Sequence, residues 1–155
     1  MLWKDLCLVA YLRKNGRETV SSLAKRLGKP ISTVHEQLKR LQEKGTISRF
    51  TCLFPYTTFG FHARAMVILK AKKDNREDMQ DYLAKHPHIN ALYRINRNYD
   101  FLCDIITKDM RHLEEFLESL EVKFSTKTEH IFYVIEELKT ESFLSDPSII
   151  HLLQE

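Results

Sequence analysis

Glycine and proline are scarce in this chain, with four of each among 155 residues. So few glycines leave no glycine-rich loop that could cradle a phosphate, and no glycine-flanked turn that presents a nucleophile. The carboxylates fall at the three- and four-residue spacings of charges on helix surfaces rather than in an acid–base pair. The sequence therefore predicts a protein that is not an enzyme and that needs no cofactor.

Cysteine is also rare, and its number is odd. Cys7, Cys52 and Cys103 lie far apart among apolar residues, which is typical of reduced packing cysteines rather than of a disulfide framework. No stretch reaches the length of a membrane span, and the first fourteen residues are interrupted by charges and have no small-residue cleavage site. These features predict a cytoplasmic protein.

Seven histidines invite the hypothesis of a metal site. The closest pair is His86 and His88, and Pro87 between them prevents the two rings from sharing a helical face. No cysteine or acidic residue stands at a metal-binding spacing from them. We therefore expect no metal.

Charge is distributed unevenly along the chain. Residues 1–60 contain eleven Lys/Arg and four Asp/Glu, a net charge of +7, whereas residues 61–155 contain thirteen and seventeen, a net charge of −4. A basic first part joined to a mildly acidic second part indicates that the first part meets a polyanion.

Residues 15–47 have the pattern of two helices around a tight turn. Thr19 can cap the first helix, Gly28 can end it, and Pro30 suits the first turn of the second helix. The second helix has one apolar stripe, formed by Ile31, Val34, Leu38 and Leu41. This arrangement predicts a helix-turn-helix.

The flanking segments complete the predicted N-terminal domain. Residues 2–14 form a helix whose buried side contains Leu2, Leu6, Val9 and either Leu8 or Leu12. Residues 46–54 are rich in β-formers and predict a strand of a small wing with Arg49 near its tip. We expect a winged helix-turn-helix over residues 1–54 and a linker over 55–61, where Pro55 and Gly60 punctuate the chain.

From residue 62 the order of elements is β-α-β-β-α-β. The predicted strands cover residues 62–71, 89–96, 100–109 and 127–138, and the predicted helices cover 74–86 and 111–123. This order predicts a ferredoxin-like sandwich over residues 62–139, which makes the whole chain α+β. Residues 140–155 form a tail, either a short docking helix or a frayed end.

The predicted sheet is apolar on both faces. In the first strand Ala65 and Val67 share one face, while Met66 and Ile68 occupy the other. Two helices can cover only one face of a sheet, so the second would be a large exposed apolar patch. We expect a sheet-to-sheet homodimer; the alternative is that the linker or the tail covers this face within one chain.

Both halves together resemble the Lrp/AsnC (leucine-responsive, or feast/famine) transcription regulators over about residues 3–140. The resemblance rests on Asp5 and on five short motifs in the family's order: NGR at 15–17, LAKRLG at 23–28, STV at 32–34, KRLQEKGTI at 39–47 and YD at 99–100. It implies dimers or octamers that bind palindromic promoter DNA through the N-terminal domain. It also implies that the C-terminal domain senses an amino acid.

Three positions depart from the family pattern. Pro30 stands where the family often has a capping serine, and Gln37 stands where it often has arginine, which removes one charge from the expected DNA-facing side. Arg97 replaces the glycine of the G-x-Y-D turn. That turn lines the effector pocket in the family, so a cation there would close the pocket, recruit a carboxylate ligand or alter assembly.

Residues near the start of a recognition helix meet base edges in the major groove. Basic residues around it more often hold phosphates, which gives affinity with little sequence information. The predicted base contacts are Ser32, Thr33, His35 and Glu36, and the predicted phosphate contacts are Lys29, Lys39, Arg40 and Arg49. The predicted effector contacts are Arg97, Asn98, Tyr99, Asp100 and Asp104, the last two as partners for a ligand ammonium group.

The rival interpretation is an RNA-binding or small-molecule-binding βαββαβ module in which the N-terminal domain is secondary. Residues 97–104 partly match the third-strand signature of RNA-recognition domains. However, Asp104 replaces a stacking aromatic and would repel phosphate, and the first strand supplies no aromatic. The sequence therefore favours a sequence-specific DNA-binding transcription regulator, acting as a homodimer or octamer on pseudo-palindromic sites with half-sites about 34 Å apart or a multiple of that.

Overall fold

The computed structural model describes residues 3–154, so Leu2 lies outside the described residues. The chain divides into two compact units. The first runs to residue 53 and also includes the tail from residue 138, and the second covers residues 54–137. Within the described part of the chain, no helix has both the length and the apolar composition needed to cross a membrane.

The first unit is built from three helices, α1 (Trp3–Lys14), α2 (Val20–Leu27) and α3 (Ile31–Glu43). The predicted signals at both ends of α2 are confirmed: the Ser22 N–H donates to Thr19 Oγ1 at 3.2 Å, and Gly28 ends the helix with a φ of +62°. The core between the three helices consists of aliphatic side chains, namely Leu8, Leu12, Leu23, Ala24, Val34 and Leu41. This is the predicted helix-turn-helix.

Two positions of α3 lie on a different face from the one predicted. Ile31 is 57% exposed, because the first turn of α3 extends beyond the core that Val34 begins. Gln37 is only 8% exposed. It lies three residues after Val34 and four before Leu41, so helical geometry puts it on the buried stripe. The expectation that Gln37 lies on the DNA-facing side is therefore wrong.

The predicted strand over residues 46–54 is also wrong, since no residue of this fully described segment is in a strand. β-propensity reflects packing against a neighbouring strand, and the segment pairs with none here. Ile47 packs against the helical core, while Arg49 is exposed. Cys52 is exposed too, in contrast to the packing role predicted for it.

The second unit is a sheet with two helices. The strands pair antiparallel in the order β2-β3-β1-β4. The elements are β1 (Ala63–Lys70), α4 (Arg76–Lys85), β2 (Ile89–Arg94), β3 (Phe101–Thr107), α5 (Met110–Phe124) and β4 (Lys127–Tyr133), with short 3₁₀ turns at Tyr56–Phe59 and Lys73–Asn75. This confirms the ferredoxin-like topology.

The two faces of the sheet differ in what covers them. Ala65, Val67 and Leu69 are fully buried in the core formed with α4 and α5. The opposite face, which we call the open face, carries apolar residues from all four strands: Met66, Ile68, Tyr93, Leu102, Ile106 and Phe132. Tyr93 and Phe132 remain 54% and 57% exposed. The predicted two-sided apolar pattern is confirmed.

β4 ends at Tyr133, five residues earlier than predicted. Its partner β1 begins at Ala63, so the ladder runs out soon after the Val134 N–H donates to the Arg64 carbonyl at 2.9 Å. Without further partners Ile135 is 98% exposed. The length of β4 predicted from the sequence pattern is therefore too great, because residues 135–138 continue the pattern without a partner strand to pair with.

The tail forms a 3₁₀ helix, Pro147–Gln154, that packs against α1 in the first unit. Ile150 is 1% exposed there, and the Ser148 N–H donates to Asp146 Oδ1 at 2.9 Å. Arg13 of α1 pairs with Glu141 at 2.9 Å. The sequence also predicts an apolar edge of the tail formed by Ile149, Ile150, Leu152 and Leu153, and the side chain of Leu153 lies outside the described side chains.

Candidate nucleic-acid interface and effector region

The outer face of α3 is polar and open. The four predicted base contacts, Ser32, Thr33, His35 and Glu36, are all exposed. Pro30 precedes the helix and provides no side-chain cap. The first N–H groups of α3, which form the positive end of the helix dipole, therefore have no hydrogen-bond acceptor from the side chain of Pro30. An exposed helix start with this chemistry can present hydrogen-bonding groups to base edges in a major groove.

The predicted phosphate contacts are placed in two different ways. Lys39 is 68% exposed and lies 3.8 Å from Glu43 on the same helix, a pair that adds little at such exposure. Arg40, by contrast, donates from Nη2 to Asp5 Oδ1 of α1 at 2.7 Å. Lys29, just before α3, donates to Gln37 Oε1 at 2.9 Å. Arg40 and Lys29 are therefore held by the protein, while Lys39 extends into solvent.

Asp5 and Gln37 join these two cations into one network. The Gln37 amide donates to the same Asp5 Oδ1 atom at 2.7 Å. The Asp5 side chain is 11% exposed, and that of Arg40 is 45% exposed. The sequence pattern identifies Asp5 only as part of the family resemblance. The helical spacing of Gln37 from Val34 and Leu41 does indicate that the Gln37 side chain faces α1.

Arg49 lies apart from this network. It is exposed, and it lines a cavity of about 240 Å³ together with Val9, Leu12 and Arg13 of α1 and with Glu141 of the tail. The sequence predicts Arg49 near the tip of a wing, whereas in the structure Arg49 lies beside α1 in a segment without strands.

The turn before β3 contains the predicted effector residues 97–100. Arg97 and Asn98 are exposed and have φ values of +59° and +69°. This left-handed conformation costs an L-residue with a Cβ free energy that glycine avoids, which accounts physically for a glycine at the position of Arg97 in the family pattern. Tyr99 is half-buried, and its hydroxyl lies 3.2 Å from His130 Nε2 of β4.

The two acids of the effector prediction are both paired within the chain. Asp100 is 7% exposed; it accepts from the Ala71 N–H at 2.9 Å and pairs with Arg76 at 2.7 Å. It thereby fixes the end of β1 and the start of α4 against the turn. A ligand ammonium group would have to compete with Arg76 for this carboxylate.

Asp104 lies on the open face of the sheet, four residues further along β3. Arg64 binds it in a bidentate way, with both N···O distances 2.8 Å, and the Asn90 amide donates to it at 2.6 Å. Arg64 also pairs with Glu137, and these carboxylates raise the pKa of the guanidinium. The partners of Asp104 lie 14 and 40 residues away in sequence, which is why the sequence pattern alone missed them.

The histidine pair at the end of α4 packs against an aromatic ring. The ring centroids of His86 and Phe116 are 4.4 Å apart, and those of His86 and His88 are 5.2 Å apart. Desolvation lowers the pKa of His86, and His88 and Lys123 lower it further. Among the residues that the structure describes, no group of three or more His, Cys, Asp or Glu side chains is arranged to hold a metal ion.

Cys103 of β3 is fully buried, and desolvation raises the pKa of its thiol to about 12. The thiolate is the reactive form of cysteine, so this side chain acts as a small apolar residue of the core. The packing role predicted for Cys103 is confirmed.

Comparison with known proteins agrees with both units. Residues 4–48 match the family model for winged helix-turn-helix DNA-binding domains, and residues 64–142 match that for the Lrp/AsnC ligand binding domain. The chain is 31% identical over 114 residues to the HTH-type transcriptional regulator FL11 of Pyrococcus furiosus, covering 74% of this chain and 76% of that protein.

Two solved structures show the same fold. One is a transcriptional regulator from Neisseria meningitidis in complex with L-methionine, with a TM-score of 0.84 and 22% identity, covering 98% of this chain and 99% of that chain. The other is LrpC of Bacillus subtilis, with a TM-score of 0.80 and 21% identity, covering 90% and 98%. Taken with the matches of both domains and with the curated relative, these findings show that the chain belongs to the Lrp/AsnC family of helix-turn-helix transcriptional regulators.

Proposed function

We propose that the protein binds pseudo-palindromic duplex DNA in a sequence-specific way as a homodimer, or as a higher oligomer built from such dimers. The observation that carries this proposal is the outer face of α3, where four exposed polar residues lie opposite a buried apolar stripe. Ser32, Thr33, His35 and Glu36 contact base edges, and Glu36 can accept from a cytosine amino group. Lys29, Lys39, Arg40 and Arg49 contact phosphates.

The partner that covers the open face is a second copy of this chain. Two observations support this choice. The tail, one alternative cover, belongs to the first unit and packs on α1. The linker reaches the Arg64 end of the face, where the guanidinium lies 5.5 Å from the centre of the Tyr56 ring, while Tyr93 and Phe132 stay about half exposed. A symmetric sheet-to-sheet contact would bury these apolar side chains on both copies.

The C-terminal unit binds an amino acid or a related small molecule that shifts assembly. Its match to the Lrp/AsnC ligand binding domain and the L-methionine complex of the Neisseria relative support this assignment. Arg97, exposed at the left-handed turn, offers a guanidinium to the effector carboxylate, with Asn98 and Tyr99 beside it. Asp100 and Asp104 take part by holding their arginine partners in place.

The test of DNA binding uses labelled duplex from upstream of the protein's own gene. The purified protein is titrated against this fragment with excess unrelated duplex, and in parallel against single-stranded RNA. We expect retained duplex binding that weakens steeply as salt rises, because phosphate contacts release counterions. Preference for RNA, or no binding of either nucleic acid, would contradict the proposal and favour the βαββαβ module as the functional part.

The test of the homodimer compares the same change at two exposed apolar sites. Phe132→Glu places a charge on the open face, whereas Val122→Glu changes a residue of α5 that is 86% exposed. Sedimentation velocity should give a dimer or larger species for the wild-type protein and for Val122→Glu, and a monomer for Phe132→Glu. If Phe132→Glu and Ile68→Glu both assembled as the wild-type protein does, the sheet-to-sheet interface would be excluded.

A further inference from the structure

Two cations beside the outer face of α3 are tied to α1 through one buried carboxylate. Asp5 Oδ1 accepts from Arg40 Nη2 and from Gln37 Nε2, both at 2.7 Å, and Gln37 Oε1 accepts from Lys29 Nζ at 2.9 Å. The order Lys29–Gln37–Asp5–Arg40 therefore runs along the flank of α3 that faces α1. Lys39 of the same helix is outside this network and pairs with Glu43.

The geometry leaves most donors of both cations available. An arginine has five N–H donors and a lysine has three. The network uses one donor of Arg40 and one donor of Lys29. The Arg40 side chain is 45% exposed, while Asp5 and Gln37 are 8% exposed each. A part-buried, charge-assisted hydrogen bond thus fixes the charged group of each cation and leaves its other donors for a ligand.

A fixed cation binds a phosphate at a lower entropic cost than a mobile one. Lysine and arginine side chains have large rotamer entropy, which is lost when a ligand orders them. Where the protein has already ordered the side chain, that loss has occurred before DNA arrives. The contact then adds to binding without the ordering penalty.

We propose that Asp5 and Gln37 are positioning residues, which hold Arg40 and Lys29 in place for backbone phosphates on the α1 side of α3. This inference rests on the proposed DNA-binding function and extends it to two residues that touch no DNA themselves. It assigns the Gln37 amide a definite task, since this amide links a cation before α3 to a carboxylate of α1.

The test is a double-mutant cycle in duplex binding. Asp5→Asn keeps the size of the side chain and removes its charge, so Arg40 loses its fixed partner. We expect Asp5→Asn to weaken binding about two- to tenfold, the cost of ordering one long side chain on binding. Its slope of log K against log salt should stay unchanged, because the number of phosphate contacts stays the same.

Arg40→Ala should cost less affinity in the Asp5→Asn background than in the wild-type protein, since the positioning is already lost. Lys39→Ala is the matched control: it lies on the same helix outside the network, so its cost should be equal in both backgrounds. A general loss of folding would change both cycles alike, whereas positioning changes only the cycle with Arg40.

Two results would overturn the inference. One is a cycle of Asp5 and Arg40 that is additive. The other is an Asp5→Asn protein that binds more tightly with a steeper salt slope, which would mean that the carboxylate only neutralises Arg40. If Asp5→Asn does not fold, Gln37→Leu replaces it in a cycle with Lys29→Ala, and the same criteria apply. Wild-type protein without duplex binding would refute the proposed function itself, whereas an additive cycle in a protein that binds DNA refutes the positioning alone.

Discussion

Replacing Arg97 by glycine should stabilise the C-terminal unit. Arg97 has a φ of +59° in the turn before β3, and its side chain is exposed. The left-handed conformation brings the Cβ of an L-residue close to the following carbonyl oxygen. Glycine has no Cβ, so Arg97→Gly removes this repulsion and gives up few side-chain contacts.

The magnitude follows from two opposing terms. Releasing one residue from left-handed strain gains roughly 1–2 kcal/mol, and the greater freedom of glycine in the unfolded chain costs roughly 0.5–1 kcal/mol. With each term near the middle of its range, the net gain in the free energy of unfolding is about 0.5–1 kcal/mol. For a unit of this size that raises Tm by about 2–8 °C.

Thermal unfolding at fixed protein concentration measures this gain, because the proposed dimerisation would make Tm depend on concentration. Arg97→Ala is the first control, since it removes the charged side chain and keeps the Cβ; it should leave Tm nearly unchanged. Asn98→Gly is the second control. Asn98 has a φ of +69°, but asparagine tolerates this region, so its gain should be smaller.

Two outcomes would refute the reasoning about strain. If Arg97→Ala stabilised the protein as much as Arg97→Gly does, the charge of the side chain and not the backbone would be the cause. If Arg97→Gly lowered Tm, the guanidinium would have to make contacts that outweigh the strain. Either result would also change how the departure from the family glycine is understood.

Three further predictions concern binding and pH. Lys39→Ala should weaken binding to all duplexes alike and flatten the slope of log K against log salt by about one unit; a changed sequence preference with an unchanged slope would contradict its role as a phosphate contact. Glu36→Gln should raise affinity for unrelated duplex and reduce discrimination at one base pair, measured by competition with single-base variants of the site; equal discrimination would remove Glu36 from the base contacts. Acidification below about pH 6.5, the ordinary pKa of histidine, should lower Tm, because the lowered pKa of His86 means that the unfolded chain binds more protons than the folded chain there. His86→Phe should reduce this dependence, and an unchanged pH profile in that variant would contradict the assignment.

The helix-turn-helix could be predicted well because its signals are local. Thr19 caps α2 through a contact three residues away, and Gly28 ends the helix by its own backbone conformation. The apolar spacing of α2 and α3 likewise depends on residues within two turns. Such signals need no knowledge of the tertiary structure.

The parts that could not be predicted depend on partners distant in sequence. The family pattern predicts that Gln37 lies on the DNA-facing side, whereas its helical phase puts it on the buried stripe, where it contacts Asp5, 32 residues away in sequence. The sequence predicts Asp104 as a partner for a ligand ammonium group. It does not reveal Arg64, 40 residues earlier, because only the β1–β3 register brings this guanidinium beside the carboxylate. The strand predicted over 46–54 failed for the same reason, since a strand requires a partner that propensity does not supply.

The acids of the first sixty residues show how the basic part of the chain is organised. Three of the four are paired in the structure: Asp5 with Arg40, Glu18 with Arg26 and Glu43 with Lys39. All three pairs lie within the helical unit, and Arg40 keeps further N–H donors for phosphate beside the one that Asp5 accepts. The fourth acid, Glu36, is exposed on the outer face of α3. A carboxylate on a surface that meets DNA repels phosphate unless it accepts a hydrogen bond from a base, and the groups in the major groove that fit it are amino groups such as that of cytosine. In the proposed interface, the charge of Glu36 that lowers affinity for DNA in general would thus be the charge that favours one base over the others.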